Sequence, residues 1–588
     1  MTNRLKNSSQ IILVIAILGI SFGLMWNAAK LETAIFDETA HIPAGYGYVK
    51  YLDYRLNPEH PPLVKALSAI PLLFMDLNFP LHHPAWTDDV NGQWETGAQF
   101  FYGVGNDADQ IVVNSRIFPI ILTLLTIILI YIWSRELLGN WWALLPAYLF
   151  GLSPIVLAHG HYVTTDVGAA LGVLFAVFGF TKFLARPRAG TVILAGLALG
   201  VALLAKFSNN LLIPYLILLA IIYFAFFNRK NFFKYLKGII GIFLIALVLI
   251  YAVYFVFTLN YPAEKQLTDA SVTLAGFSPR WLADFDLTLI ENPVLRPVGQ
   301  YLFGLLMILQ RAAGGNTAYF LGELSANGWW YYFPVVFLLK EPLPSLILIF
   351  FALGLGLRKI FRGLKGQLSK VKSHLSNYLG THFPEFAMLL FVVIYWAYSI
   401  QSSLNIGVRH LIPTLPFIYI LASGAIKSWF SARPTAVKSA FLSIILVWFV
   451  AETAVVSPHF LSYFNELGGG TRNGYHWVTD SNYDWGQDLK FLKKFVDERG
   501  INKIAIDYFG GGSPKYHLGE ETAENWWSAR GNPKDIGIEW LAVSLNTLAG
   551  AHAKLDSDLE RKPEDEYSFL RGVEPFARAG ESIFIYKF

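Results

Sequence analysis

The sequence predicts a polytopic α-helical membrane protein with a C-terminal water-soluble α/β domain. Composition is the first sign: of 588 residues, 54% are hydrophobic and only 15% charged, where a soluble domain carries roughly 25% charged residues. The second is a series of apolar runs near the 20 or so residues needed to cross a bilayer. The third is a one-sided distribution of Lys and Arg between those runs.

The runs fall near 11–31, 115–134, 141–158, 167–185, 190–205, 209–227, 237–258, 334–357, 385–402, 411–428 and 439–456. That makes about eleven spans. A Gly-flanked run at 298–312 leaves room for a twelfth or a re-entrant piece. The stretch 63–75, after Pro61-Pro62, is too short to span and predicts a helix along the membrane surface. The first run follows Arg4 and Lys6 as a signal peptide would. Without a small-residue cleavage site behind it, it is assigned as a membrane helix.

Eleven spans alternate the connections between two sides. The N-terminus and the loops 135–140, 182–189, 228–237, 358–383 and 427–438 hold about nineteen Lys and Arg against one acid, Glu136. The long loop 32–114 holds about eleven acids against three bases. The basic side is the cytoplasmic one, so an odd count places the C-terminus outside. From Ser457 the chain becomes mixed polar. Strand-like runs occur at Lys503–Tyr508, Trp540–Ser544 and Ser582–Tyr586, with a helical pattern at Gln487–Glu498. Residues 1–456 therefore form a membrane domain and 457–588 an outer α/β domain. The net charge of +4 gives no reason for a nucleic-acid partner, and with no cysteine there is no disulfide or thiolate metal site.

The candidate chemistry gathers on the outer side. Asp37 and Glu38 sit where the first run leaves the membrane. Adjacent residues cannot share one helix face, so one points to a reaction centre and the other to a support, unless the pair is simply a hydrated helix end. The path Asp53-Tyr54-Arg55-Leu56-Asn57-Pro58-Glu59-His60-Pro61-Pro62 is stiffened by its prolines. Arg55, Glu59, His60 and Lys65, with His41 upstream, either orient an acceptor or phosphate or brace the loop. His159 and His161, before Asp166, have a spacing compatible with zinc. Asp166 is a functional carboxylate or a helix cap. Lys340 and Glu341 lie within an apolar run, where a charge costs roughly 2.5–3.5 kcal/mol. They are functional, ion-paired or snorkelling. Arg409-His410 and Lys206 place cations at the outer boundary, where a lipid-linked phosphate would need them. The run Gly468-Gly469-Gly470 lacks a Walker lysine, so no nucleotide loop is present.

Asp37-Glu38 with Asn57-Pro58-Glu59-His60-Pro61-Pro62-Leu63 resembles the first outer loop of GT-C membrane glycosyltransferases. Gly328-Trp329-Trp330-Tyr331-Tyr332-Phe333-Pro334, Lys340-Glu341-Pro342, Gly407-Val408-Arg409-His410 and Asp484-Trp485-Gly486-Gln487-Asp488 are similar to the bacterial branch. That branch is related to the dolichyl-phosphate-mannose protein mannosyltransferases and the lipid A aminoarabinose transferase. The resemblance implies a polyprenyl-phosphate sugar as donor in a bacterial inner membrane, and attack by an acceptor hydroxyl with inversion. Asp37 would be the base, Glu38 its support and Asp166 an orienting acid. Arg409, His410, Lys340 and Lys206 would hold the phosphate. The extra mass here is a C-terminal α/β domain in place of the lumenal module of protein-mannosylating members, so among protein, lipid and glycan acceptors it counts against the protein and leaves lipid and glycan open. No cofactor is required, and a divalent metal is left open. A transporter for a lipid-linked sugar, or a glycan-binding scaffold, are the competing classes.

Overall fold

The computed structural model describes residues 3–227, 231–364 and 378–588. Lys365, Lys370 and Lys372 of the basic loop 358–383, and Arg229 and Lys230 of loop 228–237, lie outside the described residues. Eight helices are long and apolar enough to cross a bilayer: Ser9–Leu31, Ala108–Leu138, Asp166–Ala185, Phe207–Phe226, Phe232–Phe257, Phe383–Gln401, Val408–Ala432 and Ala436–Val456. The chain is an integral membrane protein. Each of the eleven expected runs lies on helix, but three are not straight full-length spans.

Prolines account for two of the three. The run 334–357 breaks into Tyr332–Lys340 and Leu343–Lys359, bent by 119°. Pro342 and Pro344 follow Lys340-Glu341, and a proline removes an amide donor and clashes with the preceding turn. The run 141–158 splits into Leu144–Gly151 and Pro154–His159, with Pro154 opening the second piece. The third, Ala189–Ala205, has 17 residues, about 25 Å of helix. The 298–312 run lies on the Arg296–Gly314 helix and is not among the spans. It packs with the Ala263–Thr273 and Arg280–Glu291 helices around Leu274, Ala283, Ile290 and Phe303. The surface helix expected at 63–75 is present as Leu63–Ala69 followed by Ile70–Phe74.

The Asp166–Ala185 helix is central: 78% of its apolar window is buried, against 22% for Ser9–Leu31. It reaches its neighbour through small residues. A Cβ at Gly172 would lie 2.7 Å from the Ala202 Cα, and one at Gly179 would lie 3.1 Å from the Ala195 Cα. Close backbone approach of this kind is how helices associate where lipid supplies no hydrophobic drive.

The C-terminal domain is a five-stranded sheet in the order β4-β3-β5-β8-β7. Its strands are β3 (Ile504–Asp507), β4 (Ala523–Asn525), β5 (Trp540–Ser544), β7 (Ala577–Ala579) and β8 (Ile583–Lys587). β3 is parallel to β4 and β5, and β8 is antiparallel to β5 and β7. The Leu489–Arg499 helix covers one face through Leu489, Leu492 and Val496. These elements match the expected strands and helix to within two residues.

Two seams join this domain to the membrane part. The hairpin β1 (Ala318–Phe320) and β2 (Glu323–Ser325) accepts β6 (Lys554–Leu555) as a third strand, parallel to β2. The first outer loop runs along residues 485–487: Thr33 N donates to Gln487 O and Phe36 N to Trp485 O, both at 3.0 Å.

Beneath the second seam lies a buried ion pair. Arg116 Nη2 is 2.7 Å from Glu38 Oε2, and both side chains are fully buried. The same guanidinium donates to Ala29 O and Thr33 O. Removing one partner of such a pair strands the other charge and costs about 3–5 kcal/mol. Arg116→Met is therefore expected to lower the unfolding midpoint in detergent by that equivalent, and Arg116→Met/Glu38→Leu to regain most of it. Equal midpoints for wild type and Arg116→Met would contradict this.

Candidate active site

The site begins at the turn after the first span. The helix Glu38–Tyr46 starts at Asp37, whose side chain makes no cap hydrogen bond and is free to turn outward. Glu38 turns inward. Its carboxylate is taken up by Arg116, Ile35 N and Val163 N, and it does not line the cavity that Asp37 faces. Glu38 thus supports the turn through Arg116 and has no reach to a substrate.

Asp37 meets Arg409, which links it to two further charged groups. Arg409 Nη1, on the short helix Val408–Thr414, is 3.0 Å from Asp37 Oδ2 and 3.7 Å from Asp166 Oδ2. Lys206 Nζ is 2.5 Å from Asp166 Oδ1. The four charges alternate and sum to zero, the condition under which charges tolerate desolvation. Asp166 is 1% exposed, Asp37 21%, so Asp37 is the acid that can meet a substrate. Thr165 holds the helix N-cap position and Asp166 opens the helix, with its side chain committed to the two cations. Trp485 lies under the guanidinium, 4.2 Å from ring centre to Arg409 Cζ, and shields one face by a cation–π contact.

These groups edge a cavity of ≈ 320 Å³. Asp37, His41, Glu59, His60, Lys206, Arg409 and His410 line its polar side, and Leu211, Leu305, Ile308, Leu309 and Phe333 its apolar side. His41 Nδ1 donates to Val163 O at 2.7 Å, and its ring meets the His60 ring edge-on at 5.1 Å. Burial lowers the pKa of His41, with Asp37 acting in opposition. Burial lowers that of His60 further, with help from His41 and Lys65. Near pH 7 both are neutral, and they contribute hydrogen bonds rather than charge. Glu59 accepts from Asn91 Nδ2 and Gln93 Nε2, which holds the proline-rich path against the rest of the loop.

Several expected residues lie elsewhere. Lys340 is not at the cavity. Its Nζ donates to Leu461 O and Asn482 O, both at 2.7 Å, and stands 4.5 Å over the Phe464 ring. It clamps carbonyls and is not placed to hold a phosphate. Glu341 makes no ion pair with Lys340 among the described residues; it accepts from Tyr419 Oη at 2.6 Å. Lys65 is buried and donates to Asn57 O, Asn57 Oδ1, His60 O and Tyr48 Oη. Burial lowers its pKa well below the lysine range, against the pull of Glu59. Arg55 pairs with Asp53 at 2.5 Å and lies over Trp86. Lys65 and Arg55 brace the loop and do not reach the cavity.

The two zinc candidates are also occupied with other work. Both ring nitrogens of His161 face acceptors, Leu157 O and Glu32 Oε2, each at 2.8 Å. Both nitrogens are engaged within the fold, and neither faces the cavity. The His159 ring packs against Trp485 and Tyr162. Among the described residues no group of three or more His, Asp or Glu side chains is placed to hold a metal ion.

Arg311 was not anticipated. It stands near the end of the Arg296–Gly314 helix, lines the cavity, and makes no ion pair or hydrogen bond among the described residues. It is the cation there that no carboxylate has neutralised. A lone base closing the apolar run 298–312 was the available signal.

Residues 100–254 match the family model described as dolichyl-phosphate-mannose-protein mannosyltransferase. Asp166 and Lys206 lie within that stretch, and Asp37, Arg311 and Arg409 outside it. A comparison with curated proteins gives no match. Among solved structures, ArnT from Cupriavidus metallidurans bound to undecaprenyl phosphate is similar at 12% identity over 97% of each chain, with a TM-score of 0.45. AglB from Archaeoglobus fulgidus, in complex with an inhibitory peptide and a dolichol-phosphate, is similar at 12% identity. It aligns over 99% of this chain and 74% of its own, with a TM-score of 0.47. The S. cerevisiae protein O-mannosyltransferase Pmt1-Pmt2 complex bound to the sugar donor is similar at 20% identity over 42% and 33%, with a TM-score of 0.31.

The carbonyl clamp separates two roles for Lys340. Lys340→Met leaves Leu461 O and Asn482 O without their donor, each worth about 1–3 kcal/mol when buried. The variant is expected to melt earlier and to expose the 461–485 region to protease, with donor affinity unchanged in the molecules that remain folded. Unchanged melting with lost donor affinity would restore the phosphate role.

Proposed function

We propose that the protein is an inverting GT-C-type glycosyltransferase that moves a sugar from a polyprenyl-phosphate donor to an acceptor hydroxyl. The observation that carries the reading is Asp37. It is held by Arg409 at the edge of a cavity that is polar on one side, where Arg311 has no carboxylate partner among the described residues, and apolar on another. A lipid-linked phosphate has that same division: an anionic head, a sugar, and a chain that must leave toward the bilayer. The family-model match over residues 100–254 supports the same class.

In this reading Arg311 and Lys206 face the donor phosphate, with His410 beside them, and the isoprenoid chain leaves along Leu305, Ile308 and Leu309. Arg409 fixes Asp37 Oδ2, which leaves Oδ1 for the acceptor. Asp37 takes the proton of the acceptor hydroxyl, and the oxygen attacks the anomeric carbon from the face opposite the phosphate. The bond from that carbon to the phosphate oxygen breaks, and its electron pair leaves with the polyprenyl phosphate. The cations offset the charge that develops there. The four-charge arrangement is built before substrate arrives, so little reorganisation is needed. His41, Glu59 and His60 would shape the acceptor side.

The orientation follows from the Lys and Arg bias. The N-terminus would be cytoplasmic and the C-terminal domain outside, in a bacterial inner membrane. Both ideas can be tested. Asp37→Asn is expected to reduce polyprenyl-phosphate release from a polyprenyl-phosphate sugar by about 10²–10⁴-fold, the usual contribution of a general base, with its melting temperature kept. Release equal to wild type would remove Asp37 as the base. The chain has no cysteine, so single cysteines report topology cleanly. Ser557→Cys should react with an impermeant maleimide on intact cells, and Ser431→Cys only after permeabilisation. The reverse pattern would invert the assignment.

A further inference from the structure

A second, smaller cavity of ≈ 150 Å³ adjoins the first. It lies where the β1–β2 hairpin of the membrane part meets the C-terminal domain, beside the seam made by β6. Exposed Thr317 and half-buried Gly550 stand at its mouth, half-buried Asp480 lines it, and Thr479 is buried. Ile406 lines both cavities and stands between them.

The lining is mostly polar, and part of its hydrogen-bonding capacity is unspent. Asp480 Oδ1 accepts its neighbour's amide from Ser481, which leaves Oδ2. Asn546 Oδ1 accepts from Asp480 N at 3.1 Å, which leaves its NH₂ group. Tyr332 Oη accepts from Asn482 Nδ2 at 2.9 Å and keeps its own proton to donate. Asp480 has φ of 55°, a conformation that a non-glycine residue holds only where its surroundings enforce it. The enforcement is visible. Lys340 binds Asn482 O, and Asn482 Oδ1 accepts from Val408 N, next to Arg409. The loop 480–485 thus carries Asp480 into the small cavity at one end and Trp485 under Arg409 at the other. Burial pushes the Asp480 carboxyl up to about 6, with Arg409 acting against it and Asp37 with it. The two cavities are near enough to be electrostatically joined.

We propose that this pocket is an acceptor subsite that holds one neutral sugar residue beside the hydroxyl to be glycosylated. The proposal rests on the transferase reading and extends it to the class of acceptor. The volume is about half that at which drug-sized sites begin, on the scale of one ring. A carboxylate, an amide NH₂ and a phenol, with Ile406 and Leu324 as the apolar patches, match the mixed edges and faces of a pyranose. A peptide would ask for a free strand edge, but β1 is already bridged at Phe320 by Val478.

The test uses the full-length protein in nanodiscs and saturation-transfer NMR, with methyl glycosides of common hexoses and a Ser/Thr tetrapeptide as probes. Gly550→Trp places a large ring at a residue that lines the pocket and where a Cβ meets nothing within 4 Å. Thr317→Trp closes the mouth from an exposed position, in case the first variant does not fold. Wild type is expected to contact the glycosides and not the peptide. Either tryptophan variant, with an unchanged melting temperature, should weaken that binding at least about tenfold, and Asp480→Asn should weaken it by a smaller factor. Glycoside binding equal in wild type and plugged variants overturns the proposal, as does no glycoside binding, or binding of the peptide alone. Polyprenyl-phosphate release is followed in parallel. Its absence in wild type, with glycoside binding still lost on plugging, would fail the transferase reading and leave the sugar site standing.

Discussion

Arg409 is the group on which the arrangement turns. Its guanidinium cannot lose its proton in a protein, so it is a fixed charge. It meets Asp37 from the first outer loop and Asp166 from the central helix, with Trp485 of the C-terminal segment beneath it. Three distant parts of the chain converge on one side chain. Without that charge, Asp37 and Asp166 would be two carboxylates repelling each other at the membrane boundary, and Asp166, almost wholly buried, would keep only Lys206. The network sets where Asp37 Oδ2 points and keeps the local charge near zero before substrate arrives.

The C-terminal domain is therefore part of the site. Residues 33–36 run beside 485–487 through backbone hydrogen bonds. The loop holding Trp485 is fixed by Lys340, whose ammonium is brought to Leu461 O and Asn482 O by the break at Glu341-Pro342. Those two carbonyls turn a charge that is costly in lipid into a satisfied clamp.

Much of this was legible in the sequence. Apolar run length placed helix under every expected span, because backbone hydrogen bonding in lipid leaves few alternatives. Strand-like apolar runs placed β3, β5 and β8. The adjacency of Asp37 and Glu38 meant that they diverge. What the sequence did not disclose depends on partners far along the chain. Lys340 binds carbonyls 121 and 142 residues away. A lysine near an outer boundary looks the same in sequence whether it faces a phosphate or a backbone carbonyl. Arg311 is hidden for the converse reason. Its run reads as a candidate span, and only the packing of the Arg296–Gly314 helix turns its end toward the cavity.

The most direct measurement is a structure of the protein with a non-hydrolysable polyprenyl-phosphonate sugar in nanodiscs. The account predicts the phosphonate within hydrogen-bond reach of Arg311 and Lys206, the chain along Leu305, Ile308 and Leu309, and the anomeric carbon facing Asp37 with room for one hydroxyl between. A head group bound outside this cavity, or an anomeric carbon turned away from Asp37, would contradict it.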